Sequence, residues 1–159
     1  MKLLITGGTA IAALKLLKAF ENREAVLADY GTVPMLKSAA YQMISLGKKN
    51  EEIVAHNILN ICLDEGITTV LPLYSFEIIA LAKAKVLFSE FGIQILLPDD
   101  EALQLYFNES QTPKLNDWAV YDSGKLLYAS TDNPVWQTQQ NNLNGAFTWA
   151  SGQPFLITI

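Results

Sequence analysis

Leu3-Leu4-Ile5-Thr6-Gly7-Gly8-Thr9 is the stretch that decides the fold. A short apolar run closed by two glycines reads as a strand buried on both faces, ending at a tight turn. Immediately beyond it, Ile11, Leu14, Leu17 and Phe20 recur every three residues, with Lys15 and Lys18 between them. That spacing predicts an amphipathic helix from Ala10 to about Phe20. Ala25-Val26-Leu27-Ala28 then reads as a second strand, closed by Asp29-Tyr30-Gly31.

The same alternation continues along the chain. Tyr41 to Ser45 reads as a short strand. Asn50 is placed to cap a helix whose first turn holds Glu51 and Glu52, carboxylates at the positive end of the dipole. That helix carries Ile53, Ile58, Leu59 and Cys62 on one face, and Gly66 stops it. Thr68 to Leu71 is the next strand, ended by Pro72. Ser75 is read as the cap of a helix over Phe76 to about Phe91, with Gly92 as its stop. Ile93 to Leu97 is a strand, and Pro98-Asp99-Asp100-Glu101 opens and caps a helix through about Phe107. Strands separated by helices of this length form βαβ units with right-handed crossovers. The fold class expected is α/β, a three-layer Rossmann-like parallel sheet with helices on both faces.

The last third changes character, which divides the chain into a Rossmann-like part over 1–111 and an aromatic β appendage packed on it over 112–159. From Thr112 to Ile159 there are five charged residues, yet all three tryptophans fall here. Asp122-Ser123-Gly124 and Asn144-Gly145 are turn signals, and Phe155 to Ile159 reads as a closing strand, so the appendage is expected to be a C-terminal antiparallel β-meander. The run from Gln137 to Asn144 is rich in Asn and Gln, but the aromatics around it argue for a packed element.

Composition narrows the function. The chain has 159 residues, half of them apolar, and 11 basic against 16 acidic side chains give a formal charge of −5. Such a surface argues against general nucleic-acid or anionic-membrane binding. Cys62 is the one cysteine, so no intrachain disulfide is possible. Apolar runs fall well short of the roughly 20 residues that span a bilayer, and no cleavable signal precedes Gly7. A cytoplasmic protein is expected.

Several side chains are placed for chemistry. Thr6 to Thr9 sits where a strand yields to a helix, where glycines let backbone amides approach a ligand. Asp29 stands 22 residues beyond Gly7, where a dinucleotide fold places its ribose-binding acid. The G-x-G-x-x-G spacing is absent, however, and a tight turn with close helix–strand packing is the competing reading of the glycines. Tyr121 and Lys125 have the spacing of a short-chain dehydrogenase pair, but a turn lies between them. His56 reads as a solvated helix residue and Cys62 as core. Asp99-Asp100-Glu101 reads as a helix start, and the appendage aromatics as core or interface. Glu77 has two readings, a ligand-facing carboxylate or simply an acid in the first turn of a helix. No metal or cofactor site is expected.

Leu4-Ile5-Thr6-Gly7-Gly8-Thr9, Leu27-Ala28-Asp29-Tyr30, Val70-Leu71-Pro72-Leu73-Tyr74-Ser75-Phe76-Glu77 and Ile95-Leu96-Leu97-Pro98-Asp99 together resemble a known family. It is the N-terminal pre-ATP-grasp, Rossmann-like domain of ATP-grasp ligases similar to the carbamoyl-phosphate synthase large subunit and other carboxylate–amine ligases. The resemblance covers roughly residues 1–115. Glu101 to Thr112 resembles the segment leading into the ATP-grasp part, except that Ser110-Gln111 stands where the family usually carries a lysine. The resemblance implies a strand-end crevice serving the acceptor substrate, which carries over to Gly7, Gly8, Thr9, Asp29, Tyr74, Ser75 and Glu77. The family's ATP site, with its glycine-rich loop and late carboxylates, has no counterpart after Thr112, where no glutamate occurs.

Three functions of different class are therefore expected. The first is a stand-alone pre-ATP-grasp-like domain, not catalytic alone, that binds a small ligand in the crevice or complements a separate ATP-grasp subunit. The second is an NAD(P)- or nucleotide-binding enzyme using Thr6 to Thr9 and Asp29. The third is a homo-oligomeric interaction module.

Overall fold

The computed structural model describes residues 1–138 and 143–159, so part of the Asn/Gln-rich run lies outside the described residues. The chain opens with β1 (Lys2–Thr6), α1 (Ile11–Leu16) and β2 (Glu24–Asp29), then β3 (Gln42–Ser45) and α2 (Val54–Glu65). β4 (Thr69–Leu71), α3 (Ser75–Glu90), β5 (Gln94–Ile95) and α4 (Asp100–Leu103) follow. These five strands form one sheet in the order β3-β2-β1-β4-β5, parallel throughout.

Register explains why the strands read as continuous apolar runs. Leu4 lies between Val26 and Val70, and Ile5 between Leu27 and Leu71. Alternate residues point to opposite faces, and both faces are covered. One face packs on Val54, Ile58 and Cys62 of α2 and on Ile78 and Leu81 of α3. The other meets Ala13 and Leu16 of α1, together with Trp118, Val120 and Ala146 of a second sheet. The structure is thus α/β, as expected, with helices on both faces of the parallel sheet.

The second sheet is antiparallel and comprises β6 (Trp118–Asp122), β7 (Lys125–Ala129), β8 (Gly145–Ala150) and β9 (Gln153–Leu156); the short helix α5 (Val135–Thr138) lies between β7 and β8. Its order is β7-β6-β8-β9, two hairpins joined through β6 and β8, and so not that of a consecutive meander. Asp122-Ser123-Gly124 forms the expected hairpin turn, with Ser123 and Gly124 both at positive φ, 51° and 84°.

Local details correct several expectations. The buried face of α1 is Ala13 and Leu16, continued by Phe20 in the 3-10 turn over Leu17–Phe20, whereas Ile11 and Leu14 are exposed. Ile53 is exposed, since Asn50 caps a 3-10 turn over Glu51–Ile53 that only then becomes α2. α3 begins at Ser75 with Tyr74 in the cap position and no side-chain cap bond. Asp99 stands at the cap position of α4 but makes no side-chain cap bond, its carboxylate instead taking Lys85 at 2.6 Å, and α4 ends at Leu103, well short of Phe107. Asn144-Gly145 is not a hairpin tip: Gly145 pairs with Tyr121 inside the sheet, where an added Cβ would stand 2.8 Å from the Leu96 carbonyl. Only Phe155 and Leu156 of the expected closing strand belong to β9. Among the described residues no helix is long and apolar enough to cross a membrane.

Candidate functional site

In this order the chain runs outward from β1 to β2 and β3 and then crosses back to β4, which puts the topological switch point between β1 and β4, at the carboxyl edge of the sheet. Gly7, Gly8 and Thr9 follow β1, Asp29 and Tyr30 close β2, and Tyr74, Ser75 and Glu77 lie where the loop after β4 enters α3. Most of the residues singled out from the sequence therefore meet in space, although 71 positions separate Thr6 from Glu77.

Two carboxylates organise this edge. Asp29 is 4% exposed and fully engaged. One oxygen accepts from the Thr9 amide at 3.0 Å and from the Thr9 hydroxyl; the other accepts from the Tyr30 amide at 2.8 Å and the Tyr74 hydroxyl at 2.6 Å. Burial alone would raise its pKa, but these hydrogen bonds to the charged form outweigh it and hold Asp29 below the ordinary carboxylate value. Glu77 has no exposed surface. It accepts from the Thr6 hydroxyl at 2.6 Å and the Tyr30 hydroxyl at 2.5 Å, while Thr6 in turn accepts from the Leu73 amide at 2.8 Å. Here burial wins. It pushes the Glu77 carboxyl up to about 7 despite the bonds from Thr6 and Tyr30, with the Asp29 charge adding to the rise.

The two tyrosines respond to the same fields. Burial and the neighbouring Glu77 carboxylate raise Tyr30, and burial with the Asp29 bond raises Tyr74, so both remain neutral donors. Their rings pack with Phe76, at centroid separations of 5.6, 5.4 and 5.2 Å around the triangle. Those distances leave no space for a ligand among the rings. The outer face of Phe76 takes the Lys49 ammonium at 3.9 Å from its centroid.

The glycines have two different causes. Gly8 donates its amide to the Ala28 carbonyl at 2.9 Å, and an added Cβ would meet Leu27 and the Ala28 nitrogen at 2.8 and 2.9 Å. Close strand–loop packing accounts for it. Gly7 has φ of 68°, a conformation that L side chains rarely adopt.

Sequence reasoning placed Thr6 in the turn after β1 but not against Glu77, and it missed Tyr30 and Phe76 as participants and Lys49 altogether. Thr6 and Tyr30 each flank a residue that was chosen, but only the packing of α3 over β1 and β2 reveals that they serve Glu77. Other candidates fall outside the edge: His56 is exposed, and Cys62 is fully buried, which pushes its thiol up to about 12. Tyr121 and Lys125 lie on either side of the hairpin turn, and the Tyr121 hydroxyl donates to the Trp136 carbonyl. No protein-family model matches the chain, and no curated protein matches it either.

Proposed function

We propose that the chain is a pre-ATP-grasp-like domain, not catalytic by itself, which offers the carboxyl edge of its parallel sheet to a small acceptor-type ligand and works with an ATP-grasp subunit. The observation that carries this reading is the convergence of Gly7 to Thr9, Asp29 and Tyr74 to Glu77 at the switch point of a β3-β2-β1-β4-β5 sheet. Ligands of open α/β sheets bind at such points.

The acids act here by shaping the edge. Asp29 holds the turn after β1 and the loop after β4 to the end of β2, and Glu77 ties α3 to β1 and β2. Loops fixed in this way give a ligand a preformed surface and spare it the cost of ordering them. With every Asp29 oxygen already committed, a ribose would have to displace Thr9 or Tyr74, which disfavours the nucleotide-binding reading.

The purified chain should neither hydrolyse ATP with Mg²⁺ nor give heat on titration with millimolar NAD(H) or NADP(H). Mixing it with an ATP-grasp protein encoded nearby that lacks this domain should produce ATP turnover dependent on both an amine and a carboxylate. ATP hydrolysis by the chain alone would overturn the proposal.

A further inference from the structure

The switch point between β1 and β4 is covered by the chain's own residues. Beyond β9, Ile157 donates its amide to the Ala146 carbonyl at 2.9 Å, and the segment then crosses from the second sheet to the parallel one. Ile159 donates its amide to the Leu73 carbonyl at 2.8 Å and accepts at its own carbonyl from the Ser75 amide at 3.2 Å, the first residue of α3. Its side chain lies over Gly7 so closely that an added Cβ there would stand 2.3 Å from Ile159 Cδ1. Gly7 is thus free of a side chain where a branched aliphatic group rests on the loop.

These contacts divide into two kinds. The main-chain pair with Leu73 and Ser75 would serve any extended peptide, in the manner of strand addition to an open edge. The side-chain contact selects, because a half-buried apolar group over Gly7 and beside Leu73 fits where a charged one would lose part of its hydration. The segment is also imperfectly accommodated. Thr158 is 3% exposed, and among the described residues its hydroxyl finds no hydrogen-bond partner. A buried, unpaired hydroxyl is destabilising, so the segment is held less firmly than its burial suggests.

We infer that the switch-point crevice is a binding site for an extended main chain carrying a branched aliphatic side chain, and that residues 157–159 are its intramolecular occupant. A ligand of that class competes with the segment, and the tether keeps the occupant at a high effective concentration, on the order of millimolar or above. The inference rests on reading the crevice as a ligand site and adds the class of ligand and the device that closes it.

The test uses the full chain and the tripeptide N-acetyl-Ile-Thr-Ile-amide as probe. Ile159→Asp should expel the segment, since it replaces the apolar contact over Gly7 and beside Leu73 with a charge. Hydrogen exchange at the Ser75 amide should then accelerate at least tenfold while the amides of β1 stay protected. The tripeptide should bind this variant at least tenfold more tightly than the unaltered chain in calorimetric titration. Ile159→Gly, which keeps the main chain and removes only the side chain, should show the same ranking with a smaller gain if Ile159→Asp fails to fold. Unchanged Ser75 exchange in Ile159→Asp, or faster exchange without any gain in tripeptide affinity, overturns the inference. Neither readout involves ATP turnover, so failure of the ligase reading would show separately.

Discussion

Glu77 concentrates the residue-scale physics of this protein. Its carboxyl is wholly buried, and that burial outweighs its hydrogen bonds, so the folded state retains the proton up to about 7 where an unfolded chain releases it near 4.5. The folded state therefore binds more protons across that interval, and stability must fall as pH rises. The contribution is complete below about 4.5 and lost on passing 7, an effect of about 3 kcal/mol. Asp29 acts oppositely, with a contribution present above 3.8 and lost on acidification below it. Urea midpoints should consequently be higher at pH 5 than at pH 8, and Glu77→Gln should remove most of that difference; equal midpoints in the unaltered chain would contradict this account. Gly8→Ala tests the other local constraint. Its Cβ would strike the backbone of β2, and a loss of about 2 kcal/mol is expected by denaturant titration. Gly7, Gly8, Asp29 and Glu77 stood out in the sequence because glycines and acids at strand ends are conspicuous there. What they do was not visible: Asp29 and Glu77 each accept bonds from distant elements, and spacing along the chain carries no trace of them.

At the scale of elements, α2 shows how far local signals reach. The Asn50 side chain accepts from the Glu52 amide at 3.1 Å, and Gly66 at φ 65° lets the Ile67 amide return to the Cys62 carbonyl at 2.8 Å. Both signals were read directly from the residues, because a cap and a left-handed stop depend on a few neighbouring dihedrals. Asn50→Ala should cost about 1 kcal/mol and Gly66→Ala 1–2 kcal/mol, each as a lowered urea midpoint with an unchanged slope. Where an element is decided by its neighbours, the same reasoning failed. β5 is reduced to Gln94–Ile95 because Gly145 and Asn144 of the appended part come up against the residues that would have extended it. α1 turns Ile11 and Leu14 outward although their spacing marks an apolar stripe.

At the scale of the whole molecule the two parts of the chain share their packed interior. Both apolar clusters draw on both parts of the chain, with Tyr121, Phe147 and Leu156 joining α2 and α3 in one, and Trp118, Val120 and Ile157 joining α1 in the other. Polar links reinforce this, from Gln94 to Asp122 at 2.6 Å and from the Leu156 amide to the Tyr106 carbonyl at 2.8 Å. Since every tryptophan lies beyond residue 111 and the longest helices lie before it, two probes report separately on the two parts. Tryptophan fluorescence and far-UV circular dichroism should nevertheless give coincident unfolding curves. Phe147→Ala should shift both equally, by about 3–5 kcal/mol, and a fluorescence transition preceding the loss of helix would refute a shared core. The alternation of apolar runs, glycines and amphipathic stripes was enough to establish a parallel α/β sheet, the antiparallel character of the appended part and the position of the carboxyl edge. Those properties follow from period and local dihedrals, which neighbouring residues encode. Tertiary structure alone decided that Tyr30 serves Glu77, that the second sheet covers the face α1 leaves open, and that Ile159 lies over Gly7. Each of these joins residues far apart in the chain through packing and desolvation, and neither quantity is written in the order of residues.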